Sequence, residues 1–155
     1  MAAHPITAVI DFYDTLPGAQ FPGGTRYPLY LNEAPATDSA GAQVRPPYCT
    51  LEDGGRSREV MSDNGGPESG EFSITVHAAS VGDIAAAMLA IRFAGQDPKD
   101  RAGLDGGTLV LDAPYEPVSV VMLTDTISYS GLGQTGGRVH QGEMRFFLVA
   151  QIIAG

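Results

Sequence analysis

Side chains able to do chemistry are few in this chain, and their spacing is loose. Asp11 follows the apolar run Ala8-Val9-Ile10 and precedes Asp14-Thr15, a placement in which an aspartate could attack a phosphoryl group beside Mg²⁺. That chemistry also needs a later lysine and a paired acidic motif at the end of another strand of a parallel sheet, which the pattern does not offer. An acidic pair on the solvent side of an amphipathic helix is the favoured reading. Gly131-x-Gly133-x-x-Gly136 matches a dinucleotide-binding string, but the string works only when a helix follows and points its N-terminus at pyrophosphate. Here Arg138 to Ile153 reads as a strand, so a hairpin loop is expected. Ser130, His140 and Asp125 are the residue types of a nucleophilic triad, yet Ser130 lacks the Gly-x-Ser-x-Gly elbow that would expose it. His4, His77 and His140 are far apart in sequence, and Glu52, Asp53, Asp63, Glu68 and Glu71 lack calcium-loop spacing. The expectation is a chain that is not an enzyme, with no catalytic residues, no cofactor and no metal.

Composition narrows the classes further. The 155 residues suit one domain with a sizeable core. Hydrophobic residues make up 43%, while 20 Gly, 11 Pro and only 17% charged residues imply a folded protein with many turns. Nine Lys+Arg against 18 Asp+Glu give a formal charge of −9. Such a charge opposes binding to nucleic acid or anionic membrane, because both rely on neutralising cations. A wall that repels DNA remains compatible. Cys49 is the only cysteine, so neither an intrachain disulfide nor a thiol metal cluster can form, which suits a reducing cytoplasm. No basic-then-apolar leader and no run approaching ~18–20 apolar residues is present. The chain is expected to be soluble where it is made.

The elements that would position these residues follow from periodicity. Ile6, Val9, Ile10 and Tyr13 share one helical face within His4 to Leu16, Pro5 fits the first turn, and Pro17-Gly18 ends the helix. Phe21 to Pro47 reads as an extended Pro- and Ala-rich stretch with a short strand at Tyr27 to Leu31. Tyr48 to Glu52 and Arg58 to Ser62 alternate as two short strands, with Asp53-Gly54-Gly55 as the turn of a hairpin. After a polar loop, Asp63 to Gly70, the residues Phe72, Ile74, Val76 and Ala78 mark a clean strand. Ser80 caps the amide of Asp83 at the start of a second helix, whose apolar stripe is Ile84, Ala85, Met88, Leu89 and Ile91, ending at Gly95. Gln96 to Gly107 connects to a strand at Thr108 to Asp112. Two long strands close the chain, Val118 to Ser130 and Arg138 to Ile153. The expected fold class is α+β, a mostly antiparallel sheet with an N-terminal and a central helix packed on it and a long C-terminal strand hairpin.

This order of elements resembles the tail-completion, or tail-terminator, proteins of long-tailed phages and related gene-transfer particles. The resemblance sits on the N-terminal helix, on Pro47-Tyr48-Cys49-Thr50-Leu51-Glu52 as a first main strand, and on the strand–helix pair Glu71 to Ala94. It continues through Gly106-Gly107-Thr108-Leu109-Val110-Leu111-Asp112 and the two terminal strands. It implies a non-enzymatic virion subunit that forms a ring with copies of itself, commonly a hexamer. The ring would cap the tail tube protein and join it to the head–tail connector or stopper protein. DNA would pass through the lumen without specific binding, no membrane would be involved, and assembly would take place in the host cytoplasm. The alternatives are another neck or minor tail component of similar fold, or a small acidic binding module outside any virion. Candidate interface residues are Tyr129, Leu132, Gln134, Arg138 and His140 in the hairpin, Phe146 and Phe147 on the closing strand, and Tyr27 and Tyr30 in the extended segment. That segment is expected to drape over a neighbour and to order on binding.

Overall fold

Alternation in three strands divides the molecule into a covered and an open side. The computed structural model describes residues 4–58, 66–94, 103–109, 118–132 and 138–152. Six strands form one sheet in the order β1-β2-β3-β6-β5-β4: β1 (Leu29–Leu31), β2 (Tyr48–Arg58), β3 (Gly66–Ala78), β4 (Thr108–Leu109), β5 (Val118–Leu132) and β6 (Arg138–Ile152). Only β1 and β2 run parallel, and every other pairing is antiparallel. Cys49 and Leu51, then Phe72, Ile74, Val76 and Ala78, then Met144, Phe146, Leu148 and Ala150 all point to one face and are almost wholly buried. Helices α1 (Pro5–Tyr13) and α2 (Val81–Phe93) join them in a single apolar cluster. The α+β architecture, mostly antiparallel with two helices on it, is therefore as the periodicity implies.

Each helix begins where a side chain supplies a cap. His4 Nδ1 accepts from the Ile6 amide at 3.1 Å with Pro5 behind it, and Ser80 Oγ accepts from the Asp83 amide at 3.4 Å. Ile6, Val9 and Tyr13 of α1 are buried, whereas Ile10 is only partly so. On α2 the buried stripe is Ile84, Ala87, Met88, Ala90 and Ile91. Leu89 is 54% exposed, a correction to its expected place on that stripe. Helix α2 seats so closely on β6 that a Cβ at Gly142 would come within 2.5 Å of Ile84 Cγ2 and Met88 Sδ. The far end of α2 is closed by the turn at 103–107. Leu104 and Asp105 donate their amides to the carbonyls of Ile91 and Arg92, and Ala94 takes the left-handed conformation.

Three stretches depart from expectation. Asp53-Gly54-Gly55 is a bulge inside one continuous strand, β2, and not the turn of a hairpin. Gly54 and Gly55 together stand opposite Glu71, and Gly55 has φ +83°, so the glycines that suit a turn equally suit a bulge. The remainder of the expected second strand, residues 59–62, lies outside the described residues. Residues 66–70, expected as loop, already belong to β3, whereas 63–65 lie outside the described residues. The segment from Phe21 is not simply extended. Short 3₁₀ turns at Gly18–Gln20 and Pro22–Gly24 fold Phe21 and Tyr27 back into the core, and the strand there is limited to Leu29–Leu31. The expected strand at 108–112 is described only at Thr108–Leu109, and residues 95–102 likewise fall outside the described set.

Candidate assembly surfaces

The candidate residues separate by the face on which alternation places them. Tyr27 is 4% exposed, packs against Phe21 at 5.4 Å between ring centroids, and its carbonyl accepts from the Tyr13 hydroxyl at 2.6 Å. Phe146 is wholly buried and stacks on Phe72 at 5.1 Å. Both side chains are core, which corrects their nomination as interface residues. The Tyr13 hydroxyl also reaches Cys49 Sγ at 3.5 Å, and burial pushes the Cys49 thiol up to about 12. That thiol is inert at neutral pH.

Phe147 and Tyr30 lie on the opposite, open face and are half-buried. His140 is half-buried in β6, paired with Ala78 on one side and Tyr129 on the other. The backbones of Tyr129, Leu132 and Arg138 belong to β5 and β6, with Leu132 opposite Arg138, whereas Gln134 lies outside the described residues. The hairpin extends past the end of β3, because β6 pairs with β3 no further than His140.

The open face carries three kinds of surface. At one corner Tyr30 meets Tyr48 edge-on at 6.0 Å, and Tyr48 stacks on His77 at 4.7 Å. Thr50 Oγ1 lies 3.3 Å from His77 Nε2, and burial lowers the His77 pKa. Across the middle, a groove of about 370 Å³ is lined by residues including Glu52, Ser73, Glu143 and the Glu71–Arg145 ion pair at 2.7 Å. At the diagonal corner, Val121 (51% exposed), Phe147 and Val149 form an apolar patch.

The strongest signal is in β5, and sequence reasoning located the strand but not the signal. Its first half is held on both sides. Beyond β4, Val120 exchanges backbone hydrogen bonds with Gly106 and Gly107, and the Met122 amide donates to Asp105 Oδ1 at 3.1 Å. Asp105 Oδ2 in turn accepts from Arg92 Nε at 2.8 Å, so one buried carboxylate ties the end of α2 to the strand edge. The register then shifts between Met122 and Thr124, and Leu123 to Ser128 are all exposed. Among the described residues, this half of β5 has a strand partner only in β6. Within the described residues this half of the strand is thus exposed on both faces with no second strand along its other edge, an arrangement with which another chain can pair.

The side chains suited to chemistry are dispersed. Asp11 is exposed on α1 and not at a strand end, and a strand, β6, follows the glycine string. At the β2 bulge, Asp53 and Glu68 flank Arg56 at 2.9 and 3.1 Å. Arg56 Nη2 also approaches His4 Nε2 at 2.9 Å. A neutral imidazole has one acceptor nitrogen, so this contact competes with the helix cap at Ile6. Among the described residues, no three His, Cys, Asp or Glu gather into a group that could hold a metal ion. None of the described helices is long and apolar enough to cross a membrane. No family model matches the chain, and no curated protein is significantly similar to it.

Proposed function

We propose that the protein is a structural virion subunit, a tail terminator that closes into a homo-oligomeric ring, with six copies as the expected number. The ring caps the tail tube, meets the head–tail connector or stopper, and lets DNA pass. The observation that carries this reading is the outer half of β5: six consecutive exposed residues, Leu123 to Ser128, including Leu123 at 48% and Ile127 at 42%. A small monomer gains little from ordering such a strand, since fixing each residue costs about 1–2 kcal/mol of backbone entropy. A neighbouring subunit that covers it offsets that cost. The net charge of −9 suits a channel wall to which the phosphate backbone does not adhere.

The reading is tested by adding the protein to tail tubes that lack a terminator and imaging their ends. The expected result is a ring on one end of each tube and tubes able to join heads. Deleting residues 132–136 should weaken docking. Bare tube ends after addition of folded, intact protein would sink the proposal.

A further inference from the structure

Two edges of the sheet stand level with each other. Register aligns Leu29 with Cys49, Val76, Gly142 and Ile127 in one row, and Leu31 with Leu51, Ile74, Met144 and Asp125 in another. β1 therefore lies directly across the sheet from the outer half of β5, and among the described residues neither has a strand on its outer side. The same rows fix which way the backbone points. The Cys49 amide donates to the Pro28 carbonyl and the Asn32 amide to the Leu51 carbonyl, both at 2.7 Å, so Leu29 and Leu31 turn their own backbone groups outward. Because Cys49 bonds to β1, Val76 bonds across to Gly142, and Ile127, opposite Gly142, turns its amide and carbonyl away from β6. On both edges the outward residues, Leu29 and Leu31 or Asp125 and Ile127, are also those on the helix side of the sheet.

We infer that β1 of one copy pairs with the outer half of β5 of the next, continuing the sheet from copy to copy. Strand direction, backbone and side chains all favour a second copy of this chain as the occupant. β1 runs with β2, and the antiparallel steps to β3, β6 and β5 leave β5 reversed against it. Copies set side by side in one orientation therefore bring the two strands together antiparallel. Outward backbone groups then meet outward groups with both helix layers on the same side, a match that requires the odd residues to point outward on both edges. Leu31 (52% exposed) and Ile127 (42%) are apolar side chains on that shared side, and setting them opposite places Tyr30 against Ser128 and Leu29 against Tyr129. The pairing ends at Leu31, whose carbonyl accepts from the Glu33 amide at 2.8 Å. Asn32, at φ +65°, turns the chain away before Glu33 would stand against Asp125. Because the two edges differ, the contact is heterologous, and repeated around an axis it closes into a ring. The inference rests on the ring reading and names the strands that join the ring.

The experiment combines Leu31→Cys with Ile127→Cys, oxidises the assembled protein and reads covalent species on a denaturing gel, with solution mass measured beside it. Residues directly opposite in a hydrogen-bonded antiparallel pair lie about 5.5 Å apart at Cα, within disulfide reach. The native Cys49 is wholly buried and does not compete. The expected result is a ladder of multimers ending in one closed species, whereas an equimolar mixture of the two single variants should stop at dimers. If the doubly substituted protein assembles as the parent does yet gives no cross-link, the edge pairing is wrong while the ring reading stands. A parent that stays monomeric at every concentration, and on tail tubes, overturns both. As a second arm, Leu31→Asp and Ile127→Lys, each checked for folding by circular dichroism, should each weaken the ring and together restore it. Failure of the folded double variant to recover assembly would also overturn the contact.

Discussion

β3 and the outer half of β5 are both long stretches of the same sheet, yet they have opposite surroundings. β3 is flanked by β2 and β6, and its inward side chains from Phe72 to Ala78 are at most 2% exposed. From Leu123 to Ser128, β5 pairs among the described residues only with β6, and these six residues are exposed. Burial of apolar area accounts for the first, at about 25 cal/mol per Å² removed from water. It does not account for the second. The fold of the single chain is sustained by its covered side, whereas the outer half of β5 is exposed among the described residues and contributes little to that burial.

Substitutions on the covered side should produce the largest losses. Phe146→Ala removes a wholly buried ring stacked on Phe72 and should cost about 3–5 kcal/mol in chemical denaturation. A loss under about 1 kcal/mol would mean that the covered face is not the centre of stability. Gly142→Ala should cost about 1–3 kcal/mol by forcing Ile84 and Met88 off the sheet, with Tm falling accordingly. Asp105→Ala deprives both the Met122 amide and Arg92 of a partner and should cost about 1–3 kcal/mol. It should also speed hydrogen exchange at Met122 more than at Ile74. Equal changes at the two amides would show that Asp105 does not secure the strand edge.

His77 offers a smaller, pH-dependent effect on the open face. Burial lowers its pKa below the ordinary 6.5, so the unfolded chain takes up the proton first as the solution is acidified. Its contribution to stability is therefore intact above about 6.5 and lost as pH falls from there through the lowered value. His77→Gln should flatten that part of the stability profile, and identical profiles for parent and variant would remove His77 from the account. Smallest for the monomer should be Leu123→Ser with Ile127→Ser, within about 0.5 kcal/mol each, because both residues are already in solvent. Assembly, by contrast, should suffer. A pair of changes that destabilises the monomer as much as Phe146→Ala would erase the distinction between the two regions.

Much of the covered side was legible in the sequence. The alternation of Phe72, Ile74, Val76 and Ala78, the Ser80 cap and the two terminal strands all follow from period-2 and helix-start patterns that act locally. Asp53-Gly54-Gly55 was misread because a glycine at positive φ serves a turn and a bulge equally, and only the register against Glu71 separates them. Leu89 was misplaced because α2 is apolar almost all round, so spacing alone does not select the buried stripe. Phe21 and Tyr27 sit in a Pro- and Gly-rich segment that reads as loop, and their burial depends on contacts with Tyr13 far away in sequence. The open half of β5 was not legible, because Val118 to Ser130 alternates in the same way whether or not a neighbour covers it.

The most direct measurement is the mass of the purified protein in solution across a concentration series, by analytical ultracentrifugation. The expected result is a discrete closed oligomer that dissociates when Leu123 and Ile127 are made polar. A strict monomer at every concentration, indifferent to added tail tubes, would contradict it.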